Sequence, residues 1–203
     1  MKIICIGRNY RDHAAEMGEE VHSMPLMFMK PETALIKARL PFFYPDFSSD
    51  IHYEAELVLR ICKLGKHIQT RFAHTYYQEV AVGLDFTARD LQQQCKEAGH
   101  PWEVAKSFDG SAAVSSFVPL DSFTNQENIA FSLQKNGEVV QKAHSGMMIH
   151  HFDELIALVS QFFTLKIGDY IFTGTPAGVG PVKTGDKLEA FLEEKKMLQV
   201  AIK

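Results

Sequence analysis

Short apolar runs separated by polar turns dominate the hydrophobic pattern of this chain. Residues 57–62 and 79–84 are apolar on both faces, which is typical of strands in the middle of a sheet. Residues 130–134 alternate with period two, and Asn136-Gly137 after them favours a tight hairpin into residues 138–141. The remaining predicted strands are 3–6, 170–173, 188–192 and 198–202, with a turn over 193–196 between the last two.

Helical patterns are fewer than strand patterns. The sequence predicts helices over residues 9–17, over 88–98 with Gly99 as the terminating glycine, and over 153–163 with one apolar face. Strands and helices do not alternate in βαβ order, so we expect an α+β fold on a curved, mixed sheet rather than a doubly wound one. The chain has 203 residues, 46% of them hydrophobic, which predicts a single domain over residues 1–203.

Charge and cysteine content narrow the class of protein. The formal net charge of −4 provides no basic field for nucleic acid, so none is expected as a partner. No apolar stretch approaches the roughly 20 residues of a membrane-spanning helix, and the first residues lack a signal-peptide pattern. Cys5, Cys62 and Cys95 lack metal-site spacing and are expected to be buried, reduced thiols of a cytoplasmic protein.

Two glutamates stand at the start of an apolar run. On a strand, Glu54, Glu56 and Val58 share one face. Two carboxylates side by side at the mouth of a buried strand repel each other unless a cation lies between them, and Mg²⁺ prefers such oxygens. Asp85, at the end of another apolar run, could supply a third oxygen, although spacing alone does not bring it there. A solvated strand face is the open alternative for the Glu-x-Glu pair.

Several short motifs occur in an order that resembles a known family. They are Gly7-Arg8-Asn9-Tyr10 with Asp12-His13, residues 28–31, residues 52–57, residues 85–92, residues 105–109, and Thr173-Gly174-Thr175-Pro176 with residues 178–180. Together they resemble the fumarylacetoacetate hydrolase family, most closely its short acylpyruvate-hydrolase-like members. The resemblance implies a mixed β-roll fold with a barrel-like curved sheet, a homodimer, and a Mg²⁺ or Mn²⁺ ion on Glu54, Glu56 and Asp85.

The resemblance also implies roles for other residues. His13 and Glu16 match a water-activating pair within a lid over residues 13–25, and Lys106 matches the family's active-site lysine. Residues matching substrate contacts or the pocket wall are Gln92, Thr175, Arg8 and Lys30. Judged from the sequence without the family, His13 would be a surface helix histidine and Lys106 a solvated lysine.

The expected reaction is metal-dependent hydrolysis of a C–C bond in a 3-acylpyruvate, which yields pyruvate and a carboxylic acid. The alternative enzyme uses the same metal-enolate chemistry to decarboxylate or isomerise oxaloacetate or another 2-oxo diacid. A binding domain without catalysis is the alternative from another class. The histidine-rich stretch 144–151 is interpreted as a loop before the last predicted helix, with a second metal site as the other interpretation.

Overall fold

The computed structural model describes residues 1–16, 24–36 and 40–203. Its strands are β1 (Ile3–Gly7), β2 (Leu26–Lys30), β3 (Ile51–Tyr53), β4 (Ala55–Ile61), β5 (Tyr77–Asp85), β6 (Thr87–Ala88), β7 (Ala112–Val114), β8 (Val118–Pro119), β9 (Ala130–Lys135), β10 (Glu138–His144), β11 (Tyr170–Phe172), β12 (Gly180–Pro181), β13 (Lys187–Leu192) and β14 (Lys195–Ala201). Its helices are α1 (Arg11–Glu16), α2 (Thr70–Ala73), α3 (Arg89–Ala98), α4 (Glu103–Lys106) and α5 (Phe152–Phe162), and short 3-10 helices cover Glu32–Ala34, His74–Tyr76, Leu120–Ser122 and Ser145–Met147.

The strands form a mixed set of sheets. The largest has the order β2-β1-β11-β4-β5-β7, with β8 also paired to β5. A second sheet has the order β10-β9-β13-β14, and a third the order β12-β3-β6. Strands β1 and β11 run parallel, whereas their neighbours pair antiparallel. The predicted α+β class is confirmed, and across the described ranges these sheets are open rather than closed into a barrel.

Strand β4 separates two apolar regions. Val58 packs in a small cluster that includes Cys5 and Phe172. Leu57 and Leu59, which point the other way, belong to the large core. The predicted alternation along this strand is confirmed. Glu54 and Glu56 precede Val58 on the same face, at one end of the strand.

The turns follow the sequence closely, with one correction. Asn136 and Gly137 both have positive φ, at 55° and 90°, as a two-residue hairpin turn requires. The hairpin predicted across 193–196 is confirmed, but its turn is limited to Glu193 and Glu194 because β14 already begins at Lys195. Glu193 adopts a φ of 50°, which lets the chain reverse within two residues.

The three predicted helices are present, with shifted ends. Gly99 has a φ of 66° and terminates α3, as expected. Helix α5 begins at Phe152 because His151 and Glu154 form a capping box ahead of it. Cys5 and Cys95 are buried, but Cys62 is partly exposed, so the prediction for Cys62 is wrong. Among the described residues, no helix is both long enough and apolar enough to span a membrane.

Candidate active site

The pairing of β4 with β5 brings the three predicted metal ligands together. Ala55 lies opposite Leu84, and the backbone N–H of Asp85 donates to the carbonyl of Glu54 at 2.8 Å. One carboxylate oxygen from each of Glu54, Glu56 and Asp85 lies within 4.8 Å of the others. The three residues are 6%, 2% and 0% exposed. A solvated strand face is therefore wrong for the Glu-x-Glu pair.

Lysine and arginine side chains compensate part of this negative charge. Lys106, which is 3% exposed, places its Nζ 2.8 Å from Glu54 Oε2, 3.0 Å from Asp85 Oδ2 and 2.6 Å from Thr87 Oγ1. Arg89 Nη2 lies 2.6 Å from Glu54 Oε1. Burial raises the pKa of Glu54, but Lys106 and Arg89 outweigh it and hold that pKa well below its ordinary value. Glu54 is therefore ionised at neutral pH.

Lys106 stays protonated in this position. Burial alone lowers the pKa of a lysine, but Asp85 and Glu54 reverse that effect and raise the pKa of Lys106. Without the family, the sequence suggested a solvated Lys106. That prediction is wrong, because the side chain is buried among carboxylates.

Lys30 lies behind Asp85. Its Nζ forms an ion pair with Asp85 Oδ1 at 2.8 Å and donates to the Ser111 hydroxyl at 2.9 Å, the Ser111 carbonyl at 3.1 Å and the Lys106 carbonyl. At 2.8 Å the Lys30 ammonium directly compensates the charge of Asp85. The family resemblance suggested Lys30 as part of the pocket wall. In the part of the chain that the structure describes, Lys30 does not line the cavity.

Glu56 is held by a backbone hydrogen bond. Its Oε2 accepts one hydrogen bond, from the backbone N–H of Gly174 at 2.6 Å. Burial, with the neighbouring Asp85 and Glu54, raises the pKa of Glu56 well above its ordinary value. The three carboxylates, one of them with this raised pKa, form an oxygen-lined cluster whose donor set fits a hard divalent cation.

His13 and Glu16 face each other on α1. Nδ1 of His13 lies 3.3 Å from Glu16 Oε2, and the carboxylate of Glu16 also accepts from the backbone N–H of Gly178 at 3.2 Å. His13 is 8% exposed and lines the same cavity as the acidic residues. The surface histidine suggested by the sequence without the family is wrong. The predicted lid over 13–25 includes residues 17–23, which lie outside the described residues.

Most of the residues predicted to contact substrate line the cavity beside the carboxylates. Its lining includes Arg8, Gln92 and Thr175, together with Arg89 and Lys96. Arg89 Nη1 donates to Gln92 Oε1 at 2.7 Å, so the amide NH₂ of Gln92 is the donor available to a ligand. Apolar side chains close the lining at Ile6, Leu26, Phe28 and Trp102. The arrangement suits a small molecule with carboxylate groups.

Two residues of the site were missed by the sequence. Arg89 lies within the motif of residues 85–92. Its position four residues after Asp85, at the start of a predicted helix, could have indicated that it is close to the carboxylates. Gln141 reads as an ordinary polar strand residue, yet it is 2% exposed and bonds to Thr175. The histidine-rich stretch yields no second ligand group: within the described ranges the acidic trio is the one cluster with metal-ligand geometry.

Comparisons with known proteins agree with this geometry. The family model for the fumarylacetoacetate (FAA) hydrolase C-terminal region matches residues 2–203. Oxaloacetate tautomerase YcgM of Escherichia coli is 43% identical over 188 residues, which are 92% of this chain and 86% of that protein. The mitochondrial oxaloacetate tautomerase FAHD1 of Homo sapiens is 42% identical over 188 residues, 93% of this chain and 85% of that one.

A solved structure supplies the third comparison. Fumarylpyruvate hydrolase from Pseudomonas aeruginosa, crystallised with Mn²⁺ and pyruvate, superposes with a TM-score of 0.93 at 37% identity, covering 100% of this chain and 89% of that one. The fold, the ordered motifs and these matches agree, and the chain belongs to the fumarylacetoacetate hydrolase family.

Proposed function

We propose that this protein is a divalent-metal-dependent tautomerase that interconverts the enol and keto forms of oxaloacetate or a closely similar 2-oxo diacid. The observation that carries the proposal is the buried trio of Glu54, Glu56 and Asp85 beside a cavity lined with cations. The identities to two oxaloacetate tautomerases support this reaction over the C–C hydrolysis expected first. It falls within the alternative from the sequence, which was decarboxylation or isomerisation of oxaloacetate or another 2-oxo diacid.

Mg²⁺ or Mn²⁺ would be held by Glu54, Glu56 and Asp85. When bound, such an ion supplies Lewis acidity to the adjacent carboxylate and C2 oxygens of a 2-oxo acid. The donor set is all oxygen, which suits either cation, and Mn²⁺ stands in the solved relative. The chain's contribution is to keep these oxygens ionised and in place, which Lys106 and Arg89 do for Glu54.

Enol-to-keto conversion breaks no bond between heavy atoms. A proton leaves the C2 enol oxygen and a proton arrives at C3. His13 is suited to hold the proton for C3, because Glu16 faces its Nδ1 and leaves Nε2 as the nitrogen that can turn to the cavity. The carboxylate at Nδ1 fixes the orientation of the ring.

The cavity cations suit a substrate with two carboxylates. Arg8, Arg89 and Lys96 line it together with the Gln92 amide. Charge-assisted hydrogen bonds to carboxylates are among the strongest available to a protein. A diacid therefore uses the cavity more fully than pyruvate does.

Hydrolysis of an acylpyruvate is the second candidate. The observation that favours it is the 3.3 Å pair of His13 and Glu16, which could deprotonate a water as readily as it holds a substrate proton. Similarity to a fumarylpyruvate hydrolase supports it as well. The two reactions share the metal and the lysine and differ in whether a water attacks a distal carbonyl.

One substrate panel tests both candidates. Freshly dissolved enol oxaloacetate is followed by loss of its ultraviolet absorbance, with Mg²⁺, with Mn²⁺ and with a chelator, alongside an enzyme-free blank. Pyruvate release from oxaloacetate and the cleavage of acetylpyruvate are measured on the same preparation. We expect metal-dependent tautomerisation to have the largest kcat/KM. If acetylpyruvate cleavage has the larger kcat/KM, hydrolysis replaces tautomerisation as the proposed function. If the chelator does not reduce turnover, neither reaction depends on a metal.

A further inference from the structure

A closed circuit of hydrogen bonds links the peptide between the two metal-binding glutamates to the cavity. The backbone N–H of Ala55 donates to Gln141 Oε1 at 2.9 Å, and Gln141 Nε2 contacts Thr175 Oγ1 at 2.8 Å. Thr175 Oγ1 then contacts the carbonyl of Ala55 at 2.8 Å. The circuit begins and ends at the one residue that separates Glu54 from Glu56.

The direction of every bond in this circuit is determined. A backbone N–H only donates, so the Gln141 atom facing Ala55 is its oxygen. Its nitrogen also lies 2.9 Å from the carbonyl of Pro176, which only accepts, and this confirms the orientation of the amide. Gln141 therefore donates to Thr175, and the Thr175 proton goes to the Ala55 carbonyl, which has no proton of its own.

Thr175 is left with one kind of capacity for a ligand. A hydroxyl has one proton and two lone pairs. Within the described part of the chain, Ala55 takes the proton and Gln141 takes one lone pair, so the second lone pair remains. Thr175 lines the cavity, and a ligand that bonds to its hydroxyl would use that lone pair.

We propose that Thr175 acts as a hydrogen-bond acceptor that favours the hydroxyl, or enol, form of the C2 oxygen over the carbonyl form, and that Gln141 is the positioning residue that imposes this polarity. The step from hydroxyl recognition to enol recognition rests on the proposed tautomerase function. Gln141 reaches the site from β10 through an irregular register between Val139 and Gln141, which turns its side chain inward.

A matched pair of ligands tests this polarity without turnover. Lactate and pyruvate have the same charge and nearly the same shape, but at C2 lactate has a hydroxyl donor and pyruvate only an acceptor. Their dissociation constants are measured by titration calorimetry on the protein saturated with Mg²⁺, using both enantiomers of lactate. In Thr175→Val we expect lactate to bind about fivefold more weakly, the range of one hydrogen bond, and pyruvate to change less than twofold.

Three further variants complete the test. Thr175→Ser keeps the hydroxyl and should retain the wild-type ratio of the two dissociation constants. Gln141→Leu frees the Thr175 hydroxyl to rotate, so it should lose the lactate preference while pyruvate binding is kept; a merely structural role would weaken both ligands equally. Gln134→Leu is the control, since Gln134 is a partly buried strand residue outside the cavity lining described.

The outcomes separate this inference from the function. If Thr175→Val weakens pyruvate as much as lactate, or more, Thr175 donates to its ligand and the inference is overturned. If the ratio of the lactate and pyruvate dissociation constants changes as expected but oxaloacetate is not tautomerised, Thr175 is still a hydrogen-bond acceptor and the proposed function is wrong. If Gln141→Leu leaves the ratio as in the wild type, Gln141 does not position Thr175.

Discussion

Two parts of the site differ in how they are built. The charged floor consists of Glu54, Glu56, Asp85, Lys30 and Lys106, all at most 6% exposed and supported by the largest sheet and α4. The rim consists of His13 and Glu16 on the short helix α1, and the side chain of Glu16 is 36% exposed. The floor is held by ion pairs of 2.8–3.0 Å, and the rim by contacts of 3.2–3.3 Å.

Under the proposed function, this difference divides two tasks between the floor and the rim. A floor that binds a metal must hold like charges close together, which requires burial and fixed counter-charges. A rim that transfers a proton needs a side chain that faces the cavity, as His13 on α1 does. Substitutions in the floor should therefore change metal binding and stability, and substitutions in the rim should change turnover alone.

The largest expected effect is from Glu56→Gln. Burial and acidic neighbours raise the pKa of Glu56, so its charge is costly without a cation, and a neutral glutamine removes that cost. We expect Mg²⁺ affinity and kcat to fall more than about 100-fold, as for loss of a direct ligand. Without metal, the melting temperature should stay the same or rise. Calorimetric Mg²⁺ titration and thermal melts with and without Mg²⁺ measure both quantities.

The matched control for that experiment is Glu138→Gln, which alters an exposed glutamate on β10. It should change neither Mg²⁺ affinity nor kcat. If Glu56→Gln binds Mg²⁺ as the wild type does, the floor is not the metal site, and the contrast between floor and rim loses its basis.

Lys106→Met should give the next largest effect. Its removal leaves Glu54 and Asp85 without the ammonium that contacts both of them. Breaking a buried charge pair by removing one partner costs about 3–5 kcal/mol. We expect metal-free protein to lose stability on this scale in urea denaturation, and Mg²⁺ to recover part of the loss because the ion supplies positive charge at the same carboxylates.

Lys142→Met, at an exposed position on β10, serves as the control and should unfold like the wild type. A Lys106→Met protein that is as stable as the wild type without metal would show that the floor does not depend on this ammonium.

The sequence predicted the floor only in part, for a physical reason. Period-two alternation placed Glu54 and Glu56 on one face, because that relation is local. Asp85 joins them through the register that pairs Ala55 with Leu84, which no local pattern specifies, so only the family resemblance supplied it. Lys30 approaches Asp85 from 55 positions away, and nothing near either residue indicates their ion pair.

Gln141 shows the same limit in a different form. It belongs to a correctly predicted strand, but alternation along β10 does not reveal its role, because the register between Val139 and Gln141 is irregular. In the rim, the spacing of three between His13 and Glu16 puts both on one side of α1, although the family resemblance alone suggested their role. Elements and local pairs are thus readable from sequence, whereas contacts between distant strands depend on tertiary structure.

His13→Ala tests the rim and should act on turnover alone. Loss of a positioned acid or base typically costs 10²–10⁴-fold, so we expect kcat to fall by about 100-fold or more. Mg²⁺ affinity should stay within about twofold, since the histidine is outside the trio. Glu16→Gln should cost less, about tenfold, because it keeps the shape of the side chain and removes only the charge facing Nδ1.

Asp12→Asn, in the first turn of the same helix, is the matched control for the rim. Equal losses in His13→Ala and Asp12→Asn would mean that α1 acts through its fold rather than through the imidazole. If His13→Ala also lowers Mg²⁺ affinity, the rim contributes to metal binding and is not independent of the floor.

The smallest effect is expected at Asp169, at the start of a strand that supports the floor. Asp169, just before β11, accepts from the backbone N–H groups of Lys2 at 3.0 Å and Lys166 at 2.8 Å and pairs with the Lys2 ammonium. Burial raises the pKa of Asp169, but these hydrogen bonds outweigh it and lower that pKa below its ordinary value. The folded state therefore favours the ionised form. The resulting stability is present at neutral pH and is lost as the pH falls below about 4.

Asp169→Asn removes this dependence and keeps the side-chain shape. We expect it to cost about 1–2 kcal/mol at pH 7 and to narrow the stability difference from the wild type as the pH falls through the acid range, measured by urea denaturation. Because β11 lies between β1 and β4, this bond supports the floor only through the sheet. Mg²⁺ affinity at pH 7 should then be unchanged; if it falls with stability, the floor is coupled to the sheet edge and is less rigid than its short ion pairs imply.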